Sequence, residues 1–157
     1  MKFLIHCFIV ALSFSILSCE QRPAPALFVK NLTCEYTVLP SGIDTPSPAL
    51  GWQLLSDERH VVQTAYQVLV SDSYEYLLAD NGNYWNSGKV TSRNSLSVLY
   101  DGRSLQSATT YYWKVKVWDN HGNVSAWSEP QTWQMGLLFS DAAKVSLSLI
   151  HVPPFRS

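Results

Sequence analysis

Charge is scarce in this chain. Lys, Arg, Asp and Glu make up 15% of its 157 residues, and the formal net charge is −1. No basic stripe is available to neutralise phosphates, which excludes nucleic acid as a partner class. Cysteine is scarcer still, with three residues in all. So few thiols build neither a disulfide framework nor a cysteine-rich metal cluster. No Ser/His/Asp spacing, Gly-rich phosphate loop or metal-ligand pattern occurs, so no cofactor or metal is expected. Apolar and aromatic residues are plentiful instead, at 46% and 13%, with six Trp. That is enough to close a core and argues against disorder.

The one long apolar run lies at the start. Phe3 to Leu17 is apolar apart from His6, Ser13 and Ser15, follows Lys2, and is too short to span a bilayer comfortably. It ends in Ile16-Leu17-Ser18-Cys19, which resembles the lipobox of bacterial lipoproteins. The resemblance implies that residues 1–18 are a signal peptide and that Cys19 is acylated. The chain would then be exported and held to the bacterial membrane by its lipid. Residues 19–26, rich in Pro and small side chains, read as a tether. Removing residues 1–18 takes away Lys2 and leaves 10 basic against 12 acidic residues, a net charge of −2. It also leaves Cys19 and Cys34, and with Cys19 acylated Cys34 has no pairing partner. A packed core thiol is the reading for Cys34.

The strongest pattern in the chain runs from Tyr111 to Trp118. Tyr111, Trp113, Val115 and Val117 fall on one side, and Tyr112, Lys114, Lys116 and Trp118 on the other. A period of two over this length predicts a strand with one buried face. Leu105, a polar bend and then Tyr111 predict a tyrosine corner, in which the Tyr hydroxyl bonds the backbone just upstream. Further strands are expected at Leu27–Tyr36, interrupted near Asn31, and at Ala49–Leu55, with Trp52 in the core. Others are expected at Gln63–Ser71, Tyr84–Lys89, Ser95–Tyr100 and Trp127–Met135. Pro130 marks the last as an edge or bulged strand. The polar stretch Ser56 to Val62 reads as a hairpin connection. Asp72-x-x-Glu75 reads as a capping box opening a short helix over Ser73–Ala79. About seven strands with turn signals between them spell an all-β, immunoglobulin-like sandwich over residues 27–138. Residues 139–157 do not continue the pattern and read as an aberrant or disordered tail.

The series Leu105-x-Ser107-x-Thr109-x-Tyr111-x-Trp113-x-Val115-x-Val117 resembles the corner and F strand of fibronectin type III modules, with Ser107 where that family usually has Pro. A more specific likeness runs along the chain. It includes Gly42-Ile43-Asp44-Thr45-Pro46, Leu50-x-Trp52, Ala65-Tyr66-Gln67-Val68-Leu69-Val70-Ser71 and Trp85-Asn86-Ser87-Gly88. It closes with Tyr112-Trp113-Lys114-Val115-Lys116-Val117-Trp118-Asp119 and Ala126-Trp127-Ser128-Glu129-Pro130. This order resembles the N-terminal sandwich module of bacterial α-L-rhamnosidases of glycoside hydrolase family 78. The resemblance implies a non-catalytic leading module whose partners are the following domains, with catalysis in a helical barrel that this chain does not contain. It also implies a truncated or frame-shifted fragment. An independent carbohydrate-binding surface lipoprotein, with glycans as partners, is the competing expectation.

The residues offer no catalytic pair. An inverting glycosidase needs two carboxyls roughly 6.5–9.5 Å apart around sugar and water. Asp57-Glu58 is the one adjacent pair considered, and it sits in a polar connection beside Arg59 and His60. Asp44 and Asp119 are expected to bond nearby backbone amides in turns. The aromatics are the remaining candidates. Trp85, Trp133 and Tyr84 share the field with Tyr112, Trp118 and Trp127, which form a possible docking or sugar-contact face. Core packing, domain docking and sugar stacking all stay open for this set.

Overall fold

The fold is built on β7, Thr110–Asp119, whose inward side chains Tyr111, Trp113, Val115 and Val117 are all at most 1% exposed. The computed structural model describes residues 27–138. The leader, Cys19, the tether and the tail lie outside the described residues. β7 lies at the centre of one antiparallel sheet with β3 (Gln63–Ser71), β4 (Trp85–Asn86) and β8 (Gln131–Gln134), in the order β4-β3-β7-β8. β5 (Val90–Thr91) adds to β3 beside β4. The second sheet is smaller: β1 (Leu27–Cys34), β2 (Ala49–Ser56) and β6 (Val98–Leu99), in the order β1-β2-β6. The facing sides of the two sheets close over Trp52, Trp113 and Trp133. This is the immunoglobulin-like sandwich that the alternation predicts.

Several local expectations hold with a physical cause attached. β1 shifts register between Lys30 and Thr33, where Asn31 adopts a φ of 51°. Such a conformation is open to Asn and marks a bulge. Cys34 is a core thiol, and burial, aided by the neighbouring Glu35 charge, pushes its pKa up to about 12. Trp52 is buried, donates its indole N–H to Gln63 Oε1 at 2.9 Å, and meets Tyr66 edge-on across the sandwich at 5.1 Å. β3 is covered on its outer side as well, where Ala65 and Leu69 are buried. The short helix α1 (Tyr74–Leu78) packs on β3 and β7 and buries Leu77.

Other expectations are corrected. Residues 56–62 form no hairpin, because β2 and β3 belong to different sheets. Both edges of β2 are already taken, by β1 and β6, so the connection has to cross the sandwich. The cap of α1 is Ser73, whose hydroxyl accepts from the Tyr76 amide at 3.3 Å and donates to Glu75 at 2.8 Å. Asp72 instead accepts from Asn83 Nδ2 at 2.7 Å. The two strands expected between residues 84 and 100 resolve into three two-residue strands, with Gly88 at a φ of 61° breaking the first. β8 is also shorter than its alternation suggested. It begins after Pro130, which has no N–H for a ladder.

Upstream of Pro130, serine side chains take over the pairing with β7. The Val117 amide donates to Ser125 Oγ at 3.0 Å and the Val115 amide to Ser128 Oγ at 3.1 Å. The Ser125 and Ser128 amides in turn donate to the Val117 and Val115 carbonyls. Downstream, residues 40–43 run beside β8. Gln134 donates to the Pro40 carbonyl, Ile43 to the Gln134 carbonyl and Gly136 to the Ile43 carbonyl. The free edge of β8 is therefore covered, which blunts it as a template for aggregation.

Candidate functional site

The tyrosine corner sits at the pole where the described chain ends. Tyr111 is fully buried, and its hydroxyl accepts a hydrogen bond from the Gln106 amide at 2.9 Å. Burial pushes that hydroxyl up to about 12 despite the amide. Leu105 is buried beneath the bend, and Ala108 turns the chain with a φ of 57°. Ser107, which stands where Pro was expected from the resemblance, accepts from the Leu138 amide at 2.9 Å. The departure thus ties the corner to the chain's exit. Beside it opens a cleft of about 540 Å³ lined by Asp44, Ser47, Tyr100, Asp101, Arg103 and Leu138, among others.

The outer face of the large sheet carries the other candidate. Register pairs Lys114 with Leu69, Lys116 with Gln67 and Trp118 with Ala65, so these three outer side chains of β7 share one face. Trp127 lies against them. The Lys114 ammonium is 5.1 Å from the Trp127 ring centroid and the Lys116 ammonium 4.4 Å. Lys116 also lies 5.5 Å from the Trp118 centroid, and Lys89 lies 4.6 Å from it. Two indoles and three ammonium groups form one ladder of cation–π contacts. Lys114 is only 5% exposed and reaches Asp80 at 2.5 Å. That hydrogen bond is the leading cause that holds the Asp80 carboxyl below its ordinary range. Tyr112 sits at the end of this face and packs against Tyr74 of α1, with ring centroids 5.7 Å apart.

Sequence reasoning placed Tyr112, Trp118 and Trp127 on one face and missed what fills it. The available signal was the alternation of Lys114 and Lys116 with Trp118, since long cationic stems readily lie along indole rings. Each indole already has two ammonium groups within 5.5 Å of its centroid, so a stacking sugar has to compete with lysines. Among the other aromatics, Trp133 is a core residue, and Trp85 and Tyr84 pack against the core from its margin.

Of the carboxylates, Asp44 and Asp101 line the exit cleft. Asp57 and Glu58 are exposed. Asp119 bonds local amides as expected, accepting from His121 and Asn123 at 2.9 and 2.8 Å, and from Asn123 Nδ2 at 2.9 Å. Burial pushes its pKa upward, but these hydrogen bonds outweigh burial and hold it below the usual range. Asp44 makes no such bond and lines the exit cleft, a correction to the turn reading. His60 and His121 are exposed loop residues, and His151 lies outside the described residues. Among the described residues no group of three or more His, Cys, Asp or Glu is placed to hold a metal.

Comparison with known proteins gives a consistent result. Residues 29–139 match the family model described as the Rha78A-like, N-terminal immunoglobulin domain. An α-L-rhamnosidase of Formosa agariphila is 40% identical over 119 residues, which cover 76% of this chain and 12% of that protein. An α-L-rhamnosidase of Streptomyces avermitilis is 41% identical over 113 residues, covering 72% and 11%. The crystal structure of the Streptomyces avermitilis enzyme complexed with L-rhamnose superposes with a TM-score of 0.69, covering 72% of this chain and 11% of that one. The α-L-rhamnosidase from Dictyoglumus thermophilum also gives 0.69, at 37% identity, covering 71% and 12%. This chain therefore spans about an eighth or less of the length of these relatives.

Proposed function

This chain belongs to the Rha78A-like N-terminal immunoglobulin domain family, and from that premise we propose that it is the non-catalytic leading module of an exported α-L-rhamnosidase-like glycoside hydrolase. The observation that carries the reading is coverage. The sandwich matches 11–12% of enzymes named for rhamnoside cleavage, and the family match ends at residue 139. The rest of such an enzyme supplies the chemistry. The partners of this module are the domains that follow it, and the substrate class is rhamnose-containing glycans. Export and membrane attachment rest on Ile16-Leu17-Ser18-Cys19 after the apolar leader, with Cys19 as the lipidated residue.

The role is tested on the purified chain. Aryl α-L-rhamnosides should show no turnover, because the chain matches only 11–12% of the enzymes named for that cleavage. Turnover that survives purification and is lost in Asp57→Asn or Glu58→Gln contradicts the proposal. Saturable binding on a glycan array favours an independent carbohydrate-binding lipoprotein instead. Anchoring is tested by growing cells with labelled fatty acid. Label is expected on the wild-type chain and absent from Cys19→Ala, and an unlabelled wild-type chain overturns the lipid assignment.

A further inference from the structure

We infer that the exit pole is the face on which the next domain of the same polypeptide seats, and that the seated element is apolar with a basic side chain entering between Asp44 and Asp101. The inference rests on the leading-module reading and adds where, and by what chemistry, the module is held.

The chain has no slack up to residue 138. Domain boundaries usually fall in exposed linkers that few contacts cross. Here the chain is bonded to the sandwich up to the last described residue. Gly136 donates to the Ile43 carbonyl at 2.7 Å and accepts from the Ala108 amide at 3.0 Å. Leu138 donates to Ser107 Oγ at 2.9 Å and is buried. Gly136 also approaches Gly42 so closely that an added Cβ would lie 3.0 Å from its carbonyl oxygen. The family match ends at residue 139, one residue beyond this anchored segment. The relatives, of which this chain covers 11–12%, carry further sequence beside this module, and a domain that follows residue 138 starts from a fixed point on this pole.

Leu137 is 60% exposed between two anchored residues, an apolar side chain held out at the exit. The cleft beside it, about 540 Å³, is floored by buried Leu105, Tyr100 and Leu138. Its acidic groups, Asp44 and Asp101, are exposed and have no hydrogen-bond or ion-pair partner among the described residues. Arg103 lines the same cleft but makes no ion pair with either among the described residues. Its guanidinium lies 5.6 Å from the Tyr84 ring centroid and donates to the Asn83 carbonyl at 3.3 Å. An apolar floor with two free carboxylates fits an apolar element that carries one cation.

The test replaces the leading domain of the Streptomyces avermitilis α-L-rhamnosidase with residues 27–138 of this chain. Hydroxyl-radical labelling of the chimera is then compared with labelling of the 157-residue chain alone. Slower labelling at Leu137 in the chimera, with Phe28, Leu55 and Tyr76 unchanged, is the expected result. Asp44→Lys combined with Asp101→Lys should abolish that protection. Both sites are exposed, so the same substitutions should leave the melting temperature of the 157-residue chain unchanged. Protection confined to another face, such as Phe28 and Leu55, overturns the inference while the leading-module reading stands. Protection nowhere overturns both.

Discussion

Tyr111 concentrates much of what this fold asks of one residue. It fills the core, supports Leu105 and satisfies the Gln106 amide. Tyr111→Phe keeps the ring and strands that amide, which should cost about 1–3 kcal/mol in denaturant unfolding. The same hydroxyl gives the chain an alkaline limit. Its folded pKa, about 12, exceeds the ordinary value of 10.0, and that of Cys34, about 12, exceeds 9.0. Groups raised in the folded state stabilise it fully below their unfolded pKa and lose that contribution as pH rises toward the folded one. The melting temperature should therefore decline progressively between pH 9.0 and about 12, and less steeply in Tyr111→Phe. An alkaline profile identical in Tyr111→Phe contradicts the assignment. Asp119 sets the opposite limit. Its lowered pKa makes its contribution present above the ordinary carboxylate range and lost as pH falls through the folded value. Asp119→Ala should cost about 2 kcal/mol at neutral pH, because three donors lose a charged acceptor. The tyrosine corner was legible because it needs only a Leu, a bend and a Tyr at fixed spacing. The role of Ser107 was not, because its partner, Leu138, lies 31 residues away.

Strands with one buried face announce themselves by period, and here β2, β3 and β7 fall close to the spans their alternation marks. Trp52 stands at the centre of β2, and Trp52→Ala should cost about 3–5 kcal/mol in chemical denaturation. The pieces that escaped a period-two reading are those whose pairing is made by side chains. Ser125 and Ser128 hold β7 through hydroxyls, so the stretch before Pro130 looks like a strand in sequence and is none in the structure. The β2–β3 connection was misread for a related reason. Polarity and length do not distinguish a hairpin from a crossing between sheets, and edge occupancy does. The lysine–indole ladder is likewise a property of paired strands and a neighbouring loop. Lys116→Ala removes the cation shared by Trp118 and Trp127 and should cost about 1–2 kcal/mol. Tryptophan emission should shift as the two indoles meet water. An unchanged spectrum and stability contradict the ladder as a structural element.

At the scale of the whole molecule, the class of fold was legible because turn signals, core tryptophans and alternation agree over residues 27–138. The candidate site was legible only in part. Tyr112, Trp118 and Trp127 do share a face, but lysines and Tyr74 already occupy it. The exit pole left almost no trace in the sequence, since Asp44, Asp101 and Leu137 meet only through tertiary structure. The central claim is that this sandwich is built to be held by a following domain. Differential scanning calorimetry of the Streptomyces avermitilis chimera carrying residues 27–138 addresses it most directly. A docked module should unfold with its neighbour in one cooperative transition, above the melting temperature of the 157-residue chain alone. A separate transition at the temperature of the isolated chain would contradict the account.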